Sequence, residues 1–297
     1  MTTTLPPARY EFGGDEFVFV EIDEKMSMEA NVKAMMITRA LRAREVDGII
    51  DICPSNASYM IRFDPDVLTP RDLTGLLAEL EHEAGHVPED FVLETRIVDV
   101  PVLYDDPWTR EALMRFRDRH QDPESTDLEY GARVNGFDDV ESFIRQLSGA
   151  PWMVTMLGFV PGLPFCYQLE PQDRQVQVPK YVRPRTYTPE RAFGVGGAFA
   201  VIYPVQGAGG YQLYGLSPTP VLDVTQTMPD FEESIVFPRA GDLLRYRSID
   251  RSEFDALRTE VEAGEFRYRQ RDIEFSPAAF LRDPQSVNDS LLEVLYR

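Results

Sequence analysis

The sequence predicts an α+β protein. A small ferredoxin-like β-α-β-β-α-β domain is followed by a larger, mostly β domain. Two observations carry this. Over the first hundred positions, strand-like runs of β-branched and aromatic residues alternate with helix-period segments. Past Pro101 the pattern changes to two helical stretches and then to short β segments broken by Gly and Pro. A chain of 297 residues also favours two domains, 1–100 and 101–297.

In order, residues 16–22 (EFVFVEI) read as a strand rich in Val and Phe. Residues 29–45 read as a helix with Val32, Met35, Met36, Arg39 and Ala40 on one face, ended by Gly48. Residues 49–53 and 58–63 are short strands around a turn at Pro54–Asn56. Thr69 and Pro70 supply an N-cap and first turn for a helix over 70–85. Residues 91–98 complete the split βαβ unit as its fourth strand. Beyond it, 108–119 and 138–147 look helical. Strands are expected at 152–158, 199–203, 211–214, 235–237 and 243–247, the spacing of a closed barrel or sandwich. A helix at 251–262, a strand near 265–271 and a helical stretch at 287–295 close the chain.

Composition narrows function. Hydrophobic residues make up 43%, enough for a core without staples. Asp and Glu number 50 against 30 Lys and Arg, a net charge of −20. Such a surface repels phosphate backbones and anionic membranes. Only Lys25, Lys33 and Lys180 are lysines; the other basic residues are arginines. Cys53 and Cys166 alone define neither a metal site nor a disulfide framework. The start, MTTTLPPARYEF, lacks a signal peptide's basic lead and apolar core. The uncharged run 146–169 is broken by Pro151, Pro161 and Pro164, so it reads as a buried strand and loop, not a membrane span. A cytoplasmic protein is expected.

Several motifs invite chemistry. His82-Glu83-Ala84-Gly85-His86 has the H-E-x-x-H spacing of zinc hydrolases. The apolar face of its helix is Leu73, Leu76, Leu77, Leu80 and Ala84, so both His are expected in solvent and no metal site is expected. Gly158–Phe165 (GFVPGLPF) is a stiff apolar loop, suited to a ligand wall or to a tight barrel corner. Pro179–Arg185 (PKYVRPR) concentrates basic residues between prolines. Arg183 and Arg185 would clamp a carboxylate, carbamate or phosphate, or pair with the protein's own acids. Gly194–Gly197 and Gly207–Gly210 could form backbone anion nests or simply be turns. No G-x-S-x-G elbow and no S-x-x-K is present, so the catalytic residues stay unassigned.

These same stretches carry a family likeness. Gly158–Phe165 resembles the G-F-x-P-G-F-P-Y signature of the 5-oxoprolinase B-subunit family, also called allophanate hydrolase subunit 1 or carboxyltransferase subdomain C/D. That family includes the kinase inhibitor KipI and part of urea carboxylase. Pro179–Pro189, Tyr203–Pro218 and Ala240–Tyr246 resemble three further family patterns in order, and the tail after 248 is similar to the carboxyltransferase-type members. The resemblance implies a cyclophilin-like β-barrel after the α+β domain and a homologous second subunit that completes the site. It also implies an enzyme acting on a small amide, lactam or urea-like substrate. The chemistry would be ATP-dependent hydrolysis or carboxyl transfer from carboxybiotin, with a biotin carboxylase and carrier as further partners. Neither cofactor would be attached to this chain. A KipI-like inhibitor of a sensor kinase is the rival. The implied substrate-binding residues are Phe159, Pro161 and Tyr211 as an apolar wall, Gly162 and Gly196, Arg183 or Arg185 on the anion, and Gly209 and Gly210 donating N–H bonds. The chain departs from the patterns at Leu147 (family His), at Glu190-Arg191 (family Ala-Gly) and at Phe199 (family Gln).

Overall fold

A computed structural model describes residues 5–85 and 87–297. The chain divides into two compact units, Met1–Leu93 with Ser276–Ala278, and Glu94–Phe275 with Ala279–Arg297.

The first unit runs β1 (Arg9–Gly13), β2 (Phe17–Glu21), α1 (Met28–Ala43), β3 (Ile49–Pro54), β4 (Ser58–Phe63) and α2 (Pro70–Ala84). Its sheet has the antiparallel order β1-β2-β4-β3. Val18, Val20, Tyr59, Ile61 and Phe63 alternate inward and share one core with Ala30, Ile37, Leu41, Leu73, Leu77 and Leu80 of the helices. Ser27 caps α1 through Ala30 N, and Thr69 caps α2 through Asp72 N, with Pro70 in its first turn.

This corrects the ferredoxin-like expectation. The order is β-β-α-β-β-α, and the strand assigned to 91–98 is not in this sheet. It is β5 (Leu93–Tyr104), a 12-residue strand of the second unit. Its inward residues Val98, Val100 and Val102 belong to the core of that unit. The small sheet takes its fourth strand from β1 instead, joined to β2 by a short turn in which Gly14 has φ 65°. The boundary between units therefore falls at 93/94 rather than 100/101.

The second unit continues with α3 (Pro107–Arg115), α4 (Asp127–Val134), α5 (Val140–Gly149), β6 (Trp152–Leu157), β7 (Pro164–Gln168), β8 (Arg185–Thr188), β9 (Ala192–Gly196), β10 (Phe199–Ile202), β11 (Gly207–Gly209) and β12 (Gln212–Leu216). It ends with β13 (Leu243–Ser248), α6 (Arg251–Glu262), β14 (Gln270–Phe275), α7 (Pro277–Arg282) and α8 (Pro284–Tyr296). Neighbours follow the order β12-β9-β10-β7-β6-β13-β5-β14, and β12 also pairs with β5, so the ring of pairings closes. β13 and β5 run parallel. Residues 235–237, expected as a strand, contribute only an isolated bridge from Val236 to Leu222. The last strand begins at 270, later than expected.

Two apolar layers result. Val98, Val154, Cys166, Val195, Ala200 and Tyr246 fill the inside of the ring. Leu163, Val201, Tyr203, Tyr211, Leu213 and Phe254 form a second layer, with Trp108, Val160, Phe165, Tyr187 and Phe199 packed against it. A buried ion pair pins the strand ends. Arg96 holds Asp242 through Nε (3.0 Å) and Nη2 (2.7 Å), donates to Phe237 O and to Gln270 Oε1, and lies 4.4 Å over the Phe237 ring.

Candidate functional site

Of the sequence-predicted residues, Gly196 and Tyr211 meet on one face of the barrel sheet, beside aromatic residues that were not expected. Phe199 of β10 pairs with Tyr167 of β7 and with Gly196 of β9, and the β9–β12 register sets Tyr211 beside Gly196. Directly paired residues project to the same side, and their neighbours to the other. Cys166, Val195 and Ala200 accordingly sit in the inner core, while Tyr167, Phe199 and Tyr211 line the outer face with Phe165. The rings meet edge-on or tilted: Phe165–Phe199 at 6.3 Å, Phe165–Tyr211 at 6.3 Å and Tyr167–Phe199 at 6.1 Å. Phe165 and Phe199 are half-buried, so the shelf has accessible apolar surface.

Gly196 is required by this packing. A Cβ there would stand 2.4 Å from a Tyr211 ring carbon. Tyr211 therefore lies over the glycine, and burial pushes its phenol above the usual range.

The ammonium of Lys180 sits 5.2 Å over the Tyr211 ring, a contact worth about 0.5–1 kcal/mol at an exposed site. It has no ion pair among the described residues. The backbone of residues 179–184 is held from several sides. Gln212 Nε2 donates to Pro179 O (2.8 Å), Gln121 Nε2 donates to Lys180 O, Tyr181 N donates to Gly210 O (2.7 Å) and Arg119 Nη1 donates to Pro184 O (2.7 Å).

Beneath this segment lies a buried polar bracket. Asp127, at the start of α4, accepts from Tyr181 OH and from Leu213 N, each at 2.6 Å. Burial pushes its carboxyl upward, against those two hydrogen bonds and the charge of Arg185. His120 Nε2 faces Gln212 Oε1 at 2.8 Å, and its ring packs edge-on to Tyr130 and Tyr181. Arg185 is fully buried. It donates to Tyr211 O (2.8 Å) and lies 4.4 Å over Tyr181.

The two arginines of the expected clamp thus part. Arg185 faces inward and fixes the backbone of Tyr211. Arg183 projects into solvent and pairs with Asp118 at 3.2 Å, with both side chains about 70% exposed. Arg183 lies in a bend and Arg185 opens β8, one exposed and one enclosed, so the two do not close on a common anion. The glycine nest also fails to form. Residues 207–209 are strand β11, paired with β8, and none of 207–210 has a left-handed φ. Gly209 is there for close approach, since a Cβ would stand 2.4 Å from Tyr203 OH.

The loop after β6 behaves as a stiff projection. Gly158 N donates to Leu163 O (3.1 Å) and Leu163 N to Val160 O (3.2 Å). Leu163 is buried and Val160 packs on the outer layer. Gly162 has φ 80°, and Pro161 is exposed. Phe159 adopts φ 67° and is 68% exposed, a left-handed backbone that costs roughly 1–2 kcal/mol outside glycine. Strain of this kind is concentrated at functional positions. Arg191 repeats the pattern with φ 65°, at the position where the resembled family has glycine; its Nη1 is tied to Pro218 O at 2.9 Å.

A cleft of about 490 Å³ lies away from the shelf, beside Trp108, Tyr187, Phe254, Glu111 and Glu190. Its aromatic faces are already engaged, Trp108 by Phe254 and Arg251, and Tyr187 by Arg115. His82 is exposed and Glu83 pairs with Arg44 (2.7 Å), as a solvated helix face requires; His86 lies outside the described residues. Among the described residues no group of three His, Cys, Asp or Glu could hold a metal, and no helix is long and apolar enough to cross a membrane. Leu147, where the resembled family has His, is core, and its carbonyl accepts from Trp152 Nε1.

Lys180, Phe165, Phe199 and Tyr167 were not among the expected contact residues. The rarity of lysine beside so many arginines singles out Lys180. The aromatics look like core until the strand register is known.

A family model for the carboxyltransferase domain, subdomains C and D, matches residues 8–231. The chain is 25% identical to urea amidolyase of Saccharomyces cerevisiae over 291 residues, 96% of this chain and 16% of that protein. It is 23% identical to the 5-oxoprolinase B-subunit of Bacillus subtilis over 254 residues, 83% of this chain and 95% of that one. The crystal structure of K. lactis urea amidolyase superposes with a TM-score of 0.83 at 21% identity, covering 100% of this chain and 18% of that one. Kluyveromyces lactis urea carboxylase superposes at 0.81 and 21% identity, over 97% of this chain and 26% of that one. The likeness to these two structures is one of fold. The chain spans about a sixth of the yeast urea amidolyase it matches.

Proposed function

The chain belongs to the family of carboxyltransferase domains, subdomains C and D, and from that premise we propose that it is one part of a multi-part enzyme acting on a small amide, lactam or urea-like compound. The observation that carries this reading is the pair of near-complete matches. The same stretch of chain occurs once as a separate subunit of 5-oxoprolinase and once as about a sixth of urea amidolyase. Both names concern cleavage or carboxylation of small amide-type compounds, and both describe a part within a larger whole.

In this reading the outer-face shelf binds substrate. A flat amide or ureido group packs against the half-buried Phe165 and Phe199 rings, which Tyr211 supports from beside, and their apolar surface removes water from one side. Arg185 is a positioning residue: its bond to Tyr211 O holds the ring in place. Phe159, Pro161 and Gly162 form the stiff loop that meets the other part of the enzyme, a homologous second subunit or domain. No step is assigned to ATP or carboxybiotin on this chain. The glycine run that a phosphate cradle would need is extended strand, and such groups would be brought by the other parts, including a biotin carboxylase and carrier where carboxyl transfer is the chemistry.

Purification of the tagged chain with its natural partner, followed by turnover assays on lactams and urea-like amides, tests the reading. Turnover should require this chain and should fall about 100-fold in Tyr211→Leu, the loss typical of a misplaced binding surface. Turnover by the partner alone, or an unchanged rate in the variant, would refute it.

A further inference from the structure

We propose that Arg115, Arg117, Arg119 and Arg183 form a docking surface for an acidic polypeptide segment of a partner protein; the inference does not depend on the shelf. Arg115 is the last residue of α3, Arg117 and Arg119 lie in the short 3-10 turn Arg117–Arg119, and Arg183 precedes β8. Contacts hold the two stretches side by side. Arg119 Nη1 donates to Pro184 O (2.7 Å), Arg183 pairs with Asp118 (3.2 Å), and the Arg115 guanidinium lies 5.3 Å over the Tyr187 ring. Arg115, Arg117 and Arg119 have no ion pair among the described residues. Arg44, Arg62 and Arg251, by contrast, are each taken up by a carboxylate. The two acids between 115 and 122 are already engaged, Asp118 by Arg183 and Asp122 by Arg133. A chain of net charge −20 thus carries here a local island of uncompensated positive charge.

The way these guanidiniums are held sets the class of partner. Arg119 uses Nη1 on Pro184 O and lies 5.0 Å over Phe116, while Arg115 rests against the rings of Phe116 and Tyr187. Arg117 uses Nε on Pro123 O and Nη1 on Met114 Sδ (3.1 Å). Carbonyls and rings therefore orient the groups without neutralising them, and little side-chain freedom is lost on binding. Planar forks of this kind grip carboxylates two oxygens at a time. Apolar contact is on offer too, because Met114 beside Arg115 is 56% exposed and Val182 beside Arg183 is 69% exposed. A polypeptide with acids and apolar side chains matches both features. A phosphate backbone matches the charge alone, and the net charge of the whole chain repels so dense a polyanion. Carboxylates spaced along a peptide feel mainly charges within about 8 Å, the screening length at physiological salt, and so respond to the island more than to the acidic remainder.

Fluorescence anisotropy on the full-length protein tests this with a labelled octaglutamate peptide as the probe and an oligothymidylate of equal charge as the comparison. The peptide should bind saturably at about 50 mM salt and about tenfold more weakly at about 300 mM. The triple variant Arg115→Gln, Arg117→Gln, Arg119→Gln should weaken it about tenfold or more. The pair Arg115→Gln, Arg183→Gln removes two exposed charges without releasing a backbone carbonyl, so it should keep the wild-type urea midpoint and still weaken binding about threefold. Arg267→Gln with Arg271→Gln, exposed arginines before and within β14, should leave binding unchanged. No binding at low salt, or binding indifferent to the triple and the double variant, would overturn the proposal. Equal or tighter binding of the oligothymidylate would do so as well, by showing a general polyanion surface. Self-association in sedimentation velocity that the triple variant abolishes would overturn it in favour of a second copy of this chain as the occupant.

Discussion

Gly196→Ala tests the geometry of the shelf with one methyl group. The added carbon would meet three Tyr211 ring carbons at 2.4, 2.7 and 2.7 Å, against a preferred separation of about 3.5–4.0 Å between carbons. The ring must therefore withdraw by about 1 Å, and overpacking of this kind costs about 1–3 kcal/mol. Working the other way, replacing glycine in extended backbone restricts the unfolded chain and stabilises by about 0.4–1 kcal/mol. The first effect exceeds the second, so Gly196→Ala should destabilise. In a Tyr211→Ala background the obstacle is gone and only the second effect remains, so the same methyl should stabilise. The change of sign amounts to a coupling of about 1–3 kcal/mol, measurable by urea unfolding of the four proteins in a double-mutant cycle. If Gly196→Ala costs the same in both backgrounds, the ring does not lie over the glycine and the shelf has been misread.

Two further outcomes follow from the same structure. Arg96→Ala leaves Asp242 buried without its bidentate partner and also releases Phe237 O and Gln270. Urea unfolding should show a loss of about 3–5 kcal/mol, and a loss under 1 kcal/mol would mean the pair is not closed in solution. Asp223 supplies the pH test: burial raises its carboxyl, but hydrogen bonds from Thr225, Met228 and Thr227 outweigh that and hold it at about 2. A depressed carboxyl stabilises above its unfolded pKa of about 3.9 and loses that contribution as pH falls through the folded value. The destabilisation by Asp223→Ala should therefore be full at pH 6 and shrink between about pH 4 and 2; a difference constant over that range would show the carboxylate is not so held.

Much of the fold could be read from periodicity, and the failures have physical causes. The helices α1, α2 and α6 carry caps and apolar stripes that belong to the local chain, and their observed bounds lie within two residues of the expected ones. The strand from Leu93 misled because its pattern states that it is buried but not against what. Val98, Val100 and Val102 would suit either sheet, and only pairing with β13, about 150 residues later, decides it. β1 escaped notice for the opposite reason. It is an edge strand with exposed residues at four of five positions, so it has little apolar signal to read.

Of the candidate site, Gly196 and Tyr211 were legible in the sequence, whereas the aromatics Phe165, Tyr167 and Phe199 and the destinations of the charges were not. Gly196, Gly209 and Tyr211 stand out in the sequence, and close approach explains the two glycines without any oxyanion nest. The arginines misled because a guanidinium has two destinations that look alike in sequence. Its planar donors can serve a ligand, or they can satisfy carbonyls and aromatic faces inside the protein, as Arg185 does with Tyr211 O and Tyr181. In a chain with 50 acidic residues most arginines find an internal or surface carboxylate first, and Arg183 with Asp118 is one such pair. Lys180 takes a third course, with its ammonium over the Tyr211 ring and its neighbouring carbonyl at Pro179 held by Gln212, so basic residues that cluster in sequence part in three directions once the strand pairing is set.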